Sequence, residues 1–142
     1  MEIQTIIGKE FYPKVTPLIA AARNSICIIS YDWRWYPADP GNPVQLFTTL
    51  LIQKAKLGVD VRAVLNSNNI VYLLKQNGIA AKRKRFSKFL HSKLILIDSD
   101  VTIIGSHNLT LSAFQFNMEC SVILYDKTVN ETFKKFFETL WL

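Results

Sequence analysis

The sequence contains few residues of the kinds that bind metals or form disulfide bonds. Its 142 residues include two cysteines and two histidines. Cys27 and Cys120 are far apart and lie in apolar, strand-like segments, which indicates reduced core residues rather than a bridge. The acidic residues form no cluster with the spacing of metal ligands. We therefore expect no metal site and no cofactor.

The sequence also lacks a long apolar run. None approaches the roughly 20 residues that span a bilayer, so no transmembrane segment is expected. The amino terminus carries Glu2, Lys9 and Glu10 where a signal peptide would be apolar, and the expected compartment is the cytoplasm. There is no internal repeat, and the proline-rich residues 37–43 are typical of a loop rather than a linker. We expect residues 1–142 to form a single domain.

Strand-like and helix-like patterns alternate along the chain, and 49% of its residues are hydrophobic, enough for a sizeable core. Strands are predicted over residues 3–7, 25–31, 59–65 and 118–125. Helices are predicted over residues 13–22 and over residues 44–55, the second ending at Gly58. This alternation predicts an α/β sandwich with a mixed sheet.

A third helix is predicted at the carboxyl terminus, where Thr128 and Glu131 have the spacing of a capping box. Apolar residues recur along it at helical spacing, and they are interpreted as core, with a dimer contact as the alternative. These residues are Val129, Phe133, Phe136, Phe137 and Leu140.

The densest run of polar chemistry lies between His91 and Asn108, which reads HSKLILIDSDVTIIGSHN. Residues 93–97 and 101–104 are β-branched or leucine-rich and flank a turn-like triplet that starts at Asp98, which predicts a β-hairpin. A two-residue loop at residues 99–100 would set Asp98 opposite Val101.

The same register brings polar side chains together at the other end of the hairpin. It sets Lys93 opposite Ser106 and His91 opposite Asn108. His91 and Lys93 point the same way and are two rises of roughly 3.3 Å apart, so they can touch one phosphate together. Gly105 could admit a positive φ or a close approach of a ligand to the backbone.

This segment has the pattern H-x-K, then four residues, D, then six residues, and G-S-x-N. The pattern resembles the HKD signature of the phospholipase D superfamily. The signature positions are filled by His91, Lys93, Asp98, Gly105, Ser106 and Asn108. The resemblance implies a phospholipase D-like α/β/α sandwich with one HKD motif per chain. It also implies a metal-independent, two-step displacement, in which one histidine attacks phosphorus and a second protonates the leaving oxygen. A bell-shaped pH profile is expected from such a pair.

The resemblance also implies roles for individual side chains. Lys93 and Asn108, with Ser106 nearby, would hold the non-bridging oxygens of the phosphate. Glu119 would accept a hydrogen bond from an imidazole nitrogen and fix its tautomer, and the alternative is a solvated acid at a strand edge. Asp98 is expected to be architectural, serving its own backbone, with direct catalysis as the alternative.

The chain contains a single His-x-Lys sequence, so the second histidine must come from elsewhere. His107 is a conceivable proton donor, but adjacent strand positions face opposite sides of a sheet. A partner subunit is favoured over His107. We expect an isologous homodimer with both His91 side chains at the interface and one composite site.

The net charge of +6 is concentrated ahead of the motif. A cluster of basic residues in this place predicts binding of DNA or RNA through phosphates, without sequence specificity. The alternative is a solvated basic strand edge that blocks aggregation. The cluster consists of Lys82, Arg83, Lys84, Arg85, Lys88 and Lys93.

Residues 31–36 read YDWRWY, an unusual density of aromatics at the entrance of a loop. Trp33 and Trp35 could stack on unpaired bases, each stack being worth about 1–3 kcal/mol. The alternatives are insertion into a lipid interface and packing beneath the loop or at a dimer contact.

These patterns favour a metal-independent nuclease that acts on DNA or RNA. One alternative is a phospholipase D or phosphatidyl transferase, which applies the same chemistry to lipid phosphodiesters. Another is a nucleic-acid-binding or assembly protein without turnover. The complete motif weighs against the last, because binding alone needs no nucleophile.

Overall fold

The protein forms one mixed β-sheet flanked by helices. The computed structural model describes residues 1–66, 70–84 and 88–142. Its strands are β1 (Glu2–Ile7), β2 (Ser25–Ser30), β3 (Asp60–Leu65), β4 (Ala80–Arg83), β5 (Leu94–Ile97), β6 (Val101–Gly105) and β7 (Cys120–Tyr125). Its helices are α1 (Phe11–Ala21), α2 (Pro43–Lys56), α3 (Val71–Gln76) and α4 (Lys127–Trp141).

The strand order is β1-β7-β6-β5-β2-β3-β4. β2, β3 and β4 are parallel to one another, and the remaining neighbours pair in antiparallel fashion. β1, β2, β3, β4 and β6 therefore end at the same edge of the sheet at which β5 and β7 begin. We call this edge the His91 edge, because His91 precedes β5.

Helices cover the two faces of the sheet, as alternation along β2 shows. Ile26 and Ile28 pack into the larger core cluster with residues of α1 and α2, such as Phe11 and Phe47. Residues of the opposite parity, such as Cys27, pack against α4 in the second cluster. The predicted α/β sandwich with a mixed sheet is confirmed.

One part of the sheet surface carries exposed and half-buried apolar side chains. α4 packs on β6, β5 and β2. On that same face, Ile3 and Ile7 of β1 are 56% and 61% exposed. Val122 and Leu124 of β7 are half-buried. These four side chains are here called the β1–β7 face, which runs up to the His91 edge at Ile7.

The hairpin of β5 and β6 differs from its predicted register by one residue. Ile97 pairs with Val101, and Leu94 pairs with Ile104. The loop therefore has three residues, and it begins at Asp98, whose φ is +52°. The backbone N–H of Asp98 donates to the Ser25 carbonyl at 2.8 Å instead of pairing with β6.

The start of α4 also differs from its prediction. The cap is Asp126, whose carboxylate accepts from the Val129 backbone N–H at 2.9 Å, so the capping box predicted at Thr128 does not form. Within the apolar stripe, Phe137 is fully buried and Phe136 is 42% exposed. Within the described ranges, none of the helices is both long enough and apolar enough to cross a membrane.

Candidate active site

His91 and Lys93 lie side by side at the start of β5. Lys93 Nζ is 3.2 Å from each ring nitrogen of His91. His91 is exposed and Lys93 is half-buried. Burial lowers the pKa of Lys93 below its ordinary value, and the Glu119 carboxylate opposes that shift. The pair therefore places an imidazole and an amino group side by side at this edge.

Tyr31, the residue after β2, packs against this pair. Its ring centroid is 5.1 Å from that of His91, and Lys93 Nζ lies 5.6 Å from it, within cation–π range. The sequence marked Tyr31 only as part of an aromatic run. Its position in the site follows from the sheet order, because β2 is the neighbour of β5.

Ser106 and Glu119 are joined on the other side of the site. Ser106 Oγ donates to Glu119 Oε1 at 2.5 Å, and Asn117 Nδ2 donates to Oε2 at 3.0 Å. The Cys120 backbone N–H donates to Ser106 Oγ at 3.0 Å. Glu119 was predicted to accept a hydrogen bond from an imidazole nitrogen. Within the single chain its carboxylate accepts from Ser106 and Asn117.

Asn108 is oriented by the segment that follows β2. Its Oδ1 accepts from the Asp32 backbone N–H at 3.2 Å. With the oxygen held in this way, Nδ2 is the group that can donate to a bound anion. Asn108 is half-buried, which limits the loss of side-chain entropy when an anion binds.

His107 is buried in the core. Its Nε2 is 2.9 Å from the Gly8 carbonyl and its Nδ1 is 2.7 Å from Ser121 Oγ. A carbonyl only accepts, so Nε2 carries the proton and Nδ1 accepts from the serine. Burial lowers the pKa of His107, and its ring stacks on Phe11 at 4.7 Å. This geometry does not support His107 as the proton donor.

Gly105 is required by strand packing. Its φ is not positive. A Cβ at this position would lie closer to Ser121 Oγ and Cα than real contacts allow, and 2.5 Å from the Cys120 carbonyl oxygen. The glycine therefore lets β6 lie close to β7, which joins Ser106 to Glu119. The sequence suggested two reasons for a glycine here, and the first of them, a positive φ, is wrong.

Asp98 lies at the opposite edge of the sheet from His91. Its carboxylate accepts from the backbone N–H groups of Arg23, Asn24 and Ser25 at 2.7–3.2 Å. Burial by itself would raise the pKa of Asp98, but these donors outweigh it and hold the pKa below its ordinary value of 3.8. This position is that of an architectural residue which ties the hairpin loop to the start of β2.

Replacing Asp98 with alanine should therefore reduce stability and spare turnover. We expect the free energy of unfolding at pH 7 to fall by about 1–3 kcal/mol, because three backbone N–H groups lose a charged acceptor. The wild-type contribution is present above the ordinary pKa of 3.8 and is lost as the pH falls through the lower folded pKa. The variant should lack that pH dependence. Urea melts at several pH values measure this effect.

Asp98→Asn is the matched control, because it keeps an acceptor oxygen but no charge, and it should lose less stability than Asp98→Ala. Turnover that collapses in Asp98→Ala while the melts stay unchanged would instead assign Asp98 a direct catalytic role.

The basic cluster divides into two groups. Lys82 Nζ donates to the Trp141 carbonyl at 2.7 Å and lies 4.2 Å from the Trp141 ring centroid, so it anchors the end of α4 and is not offered to a substrate. Arg83 and Lys88 are exposed, and Lys84 is half-buried. Arg83 is the last residue of β4, at the His91 edge. Arg85 lies outside the described residues.

The two tryptophans that were predicted to stack on bases differ in burial. Trp33 is 1% exposed, and its Nε1 donates to Thr48 Oγ1 at 3.0 Å. Trp35 is half-buried and packs against the main core. For Trp33 the stacking prediction is corrected, because no ring face is left for a base.

A different aromatic side chain is exposed beside the site, and the sequence analysis missed it. Phe89 is 81% exposed, and its ring centroid is 6.4 Å from that of Tyr31. The signal available in the sequence was its place two residues before His91. In the part of the chain that the structure describes, no group of three or more His, Cys, Asp or Glu side chains could hold a metal ion.

The fold and the site together define an α/β protein that gathers cationic and polar side chains at one sheet edge. The family model described as cardiolipin synthase, PLD-like domain, matches residues 15–141. The chain therefore belongs to the phospholipase D superfamily, whose members act on phosphodiester bonds.

Solved structures share this fold over nearly the whole chain. NucT from Helicobacter pylori superposes with a TM-score of 0.81 at 18% identity, covering 99% of this chain and 95% of NucT. Nuc from Salmonella typhimurium, described as a phospholipase D family member, gives 0.80 at 22% identity with the same coverage.

A curated relative, the mitochondrial cardiolipin hydrolase of Xenopus laevis, is 35% identical over 68 residues. That match covers 48% of this chain, and the chain spans only 32% of the length of the relative.

Proposed function

We propose that this protein is a metal-independent phosphodiesterase that cleaves DNA or RNA. The observation that carries the proposal is the placement of His91 and Lys93 at a sheet edge that also bears exposed cationic side chains, Arg83 and Lys88. A lipid headgroup needs one cationic pocket, whereas an extended polyanion also binds cations beside that pocket. The exposed cations beyond the His91–Lys93 pair favour the extended substrate.

The chemistry follows from the two side chains at the start of β5. A His91 nitrogen attacks phosphorus, the bond from phosphorus to the leaving oxygen breaks, and a phosphohistidine forms. Lys93 and Asn108 donate to the non-bridging oxygens, where negative charge grows in the transition state. The leaving oxygen takes a proton from a second histidine. Water then attacks phosphorus, its proton passes to that histidine, and His91 is released.

The second histidine, in this proposal, is His91 of an identical partner. His107 is held in the core by Gly8 and Ser121, so the single chain offers one histidine at the site. A two-fold axis beside His91 would bring two such residues together. We propose that the chains meet through the β1–β7 face, because it is apolar and exposed and continues into the site at Cys120, whose N–H donates to Ser106.

A lipid phosphodiester is the second candidate substrate. Met118, next to Glu119, is fully exposed, and Phe116 is 74% exposed, so an apolar rim borders the site. The similarity to a cardiolipin hydrolase over 68 residues supports the same alternative. The exposed cations at Arg83 and Lys88 favour nucleic acid over this substrate.

A panel of substrates in excess EDTA separates the two candidates. Labelled single- and double-stranded DNA and RNA are incubated with the protein beside cardiolipin vesicles, over a series of salt concentrations. The proposal predicts cleavage of at least one nucleic acid, with KM rising steeply as salt increases. Hydrolysis of cardiolipin with no nucleic-acid cleavage would contradict the proposal and assign the protein as a lipid phosphodiesterase.

A further inference from the structure

Phe89, which is exposed, and Tyr31, which is half-buried, form an aromatic surface next to His91. We infer that this surface stacks on an unpaired base adjacent to the phosphate at His91, so that the preferred substrate is single-stranded. The inference rests on the proposed nuclease function and narrows its substrate class.

The aromatic surface and the phosphate-binding groups share one side chain. The Tyr31 ring lies 5.1 Å from the His91 ring and 6.4 Å from the Phe89 ring, measured between centroids. Lys93 Nζ approaches the same tyrosine ring at 5.6 Å. A phosphate held by His91 and Lys93 therefore has its own nucleotide within reach of Phe89.

The exposure of Phe89 indicates a ligand rather than a packing role. Its side chain is 81% exposed, while the next residue, Leu90, is 5% exposed and fills the core under α4. Exposed aromatic area costs roughly 25 cal/mol for each Å² left in water. Folding of the chain therefore gains little from a phenylalanine here, whereas a stacked base would cover it.

An aromatic surface of this kind favours single-stranded over double-stranded nucleic acids. In a duplex, both faces of each base are covered by neighbouring base pairs, so a side chain at the surface meets only backbone and groove edges. In a single strand, each base presents a face to an aromatic ring, whatever its identity. Lys88, next to Phe89 and exposed, supplies charge for a flanking phosphate. The result is affinity for single strands without sequence specificity.

The test compares Phe89→Ala with the wild type on two single-stranded oligonucleotides, one of ordinary sequence and one with an abasic residue next to the scissile phosphate. On the ordinary strand, Phe89→Ala should raise KM by about 5- to 150-fold and leave kcat unchanged, because one stacking contact is lost from ground and transition states alike. On the abasic strand, the two proteins should have the same KM, because no base is present to stack.

Two further variants make the comparison specific. Phe89→Trp keeps an aromatic face and should restore the wild-type KM. Leu57→Ala removes an apolar side chain that is 78% exposed at the opposite edge of the sheet. This variant should keep the wild-type KM on both strands.

The outcomes separate this inference from the proposed function. Wild-type cleavage with an unchanged KM in Phe89→Ala, or an equal loss on ordinary and abasic strands, overturns the stacking surface and leaves the nuclease intact. Phe89→Ala could also cleave oligonucleotides normally and no longer co-sediment with cardiolipin vesicles. That result would assign Phe89 to a lipid-binding surface and overturn the inference. A wild-type protein that cleaves no oligonucleotide overturns both.

Discussion

His91→Ala should abolish phosphodiester cleavage while leaving the fold intact. His91 supplies the attacking nitrogen in the proposed mechanism, and removal of a nucleophile lowers kcat by roughly 10⁴- to 10⁶-fold. Its ring is exposed, and among the described residues its hydrogen-bonding and aromatic partners are the Lys93 amino group and the Tyr31 ring, so the melting temperature should not fall. Initial rates in excess EDTA and thermal melts of the same preparations measure both effects.

The other histidine of the chain provides the comparison. His107→Gln should lower the melting temperature, because the imidazole bridges the Gly8 carbonyl and Ser121 in the core, and lost buried hydrogen bonds cost about 1–3 kcal/mol. At a temperature where it is folded, this variant should be far more active than His91→Ala. An active His91→Ala, within tenfold of the wild type, would contradict histidine nucleophilic catalysis at this position.

Ile3→Glu should convert the protein to a monomer and remove most of its activity. Ile3 is 56% exposed, so the substitution is tolerated in the single chain. In the proposed dimer, the β1–β7 face is buried against its copy, and an unpaired carboxylate there weakens association by about 3–5 kcal/mol, or roughly 10²- to 5 × 10³-fold in Kd. Activity should follow the dimer fraction, because each chain contributes one His91.

The measurement is light scattering during size exclusion, with specific activity recorded over the same range of protein concentration. Leu57→Glu is the matched control, since it adds the same charge at a side chain that is 78% exposed at the opposite sheet edge. That control should remain dimeric and active. An Ile3→Glu monomer with full activity would show that one chain carries a complete site.

The hairpin illustrates what local sequence predicts and where it stops. Strand pattern predicted that His91 and Lys93 share one side, and the 3.2 Å contacts agree with it. The register was wrong by one residue, because Asp98 is held by backbone donors of Arg23, Asn24 and Ser25, more than 70 positions away. A turn triplet carries no information about such distant partners.

The aromatic and basic residues show the same limit. Composition marked Trp33 as a stacking residue, yet its environment is set by α2, where Thr48 accepts its N–H. Lys82 belongs to the basic run, yet the end of α4 occupies it. Exposure at Phe89 likewise depends on which elements pack nearby. Residue type gives the chemistry available, and tertiary packing decides which side chains reach solvent.

The most direct test of the central claim, that two chains share one site through their His91 residues, is a mixing experiment. Wild-type protein and His91→Ala carry different affinity tags, are co-expressed or refolded together in varied ratios, and are assayed at constant total concentration. If two His91 residues form one site, activity falls as the square of the wild-type fraction, to about a quarter at equal mixing. A linear fall, to about one half, would contradict the shared site.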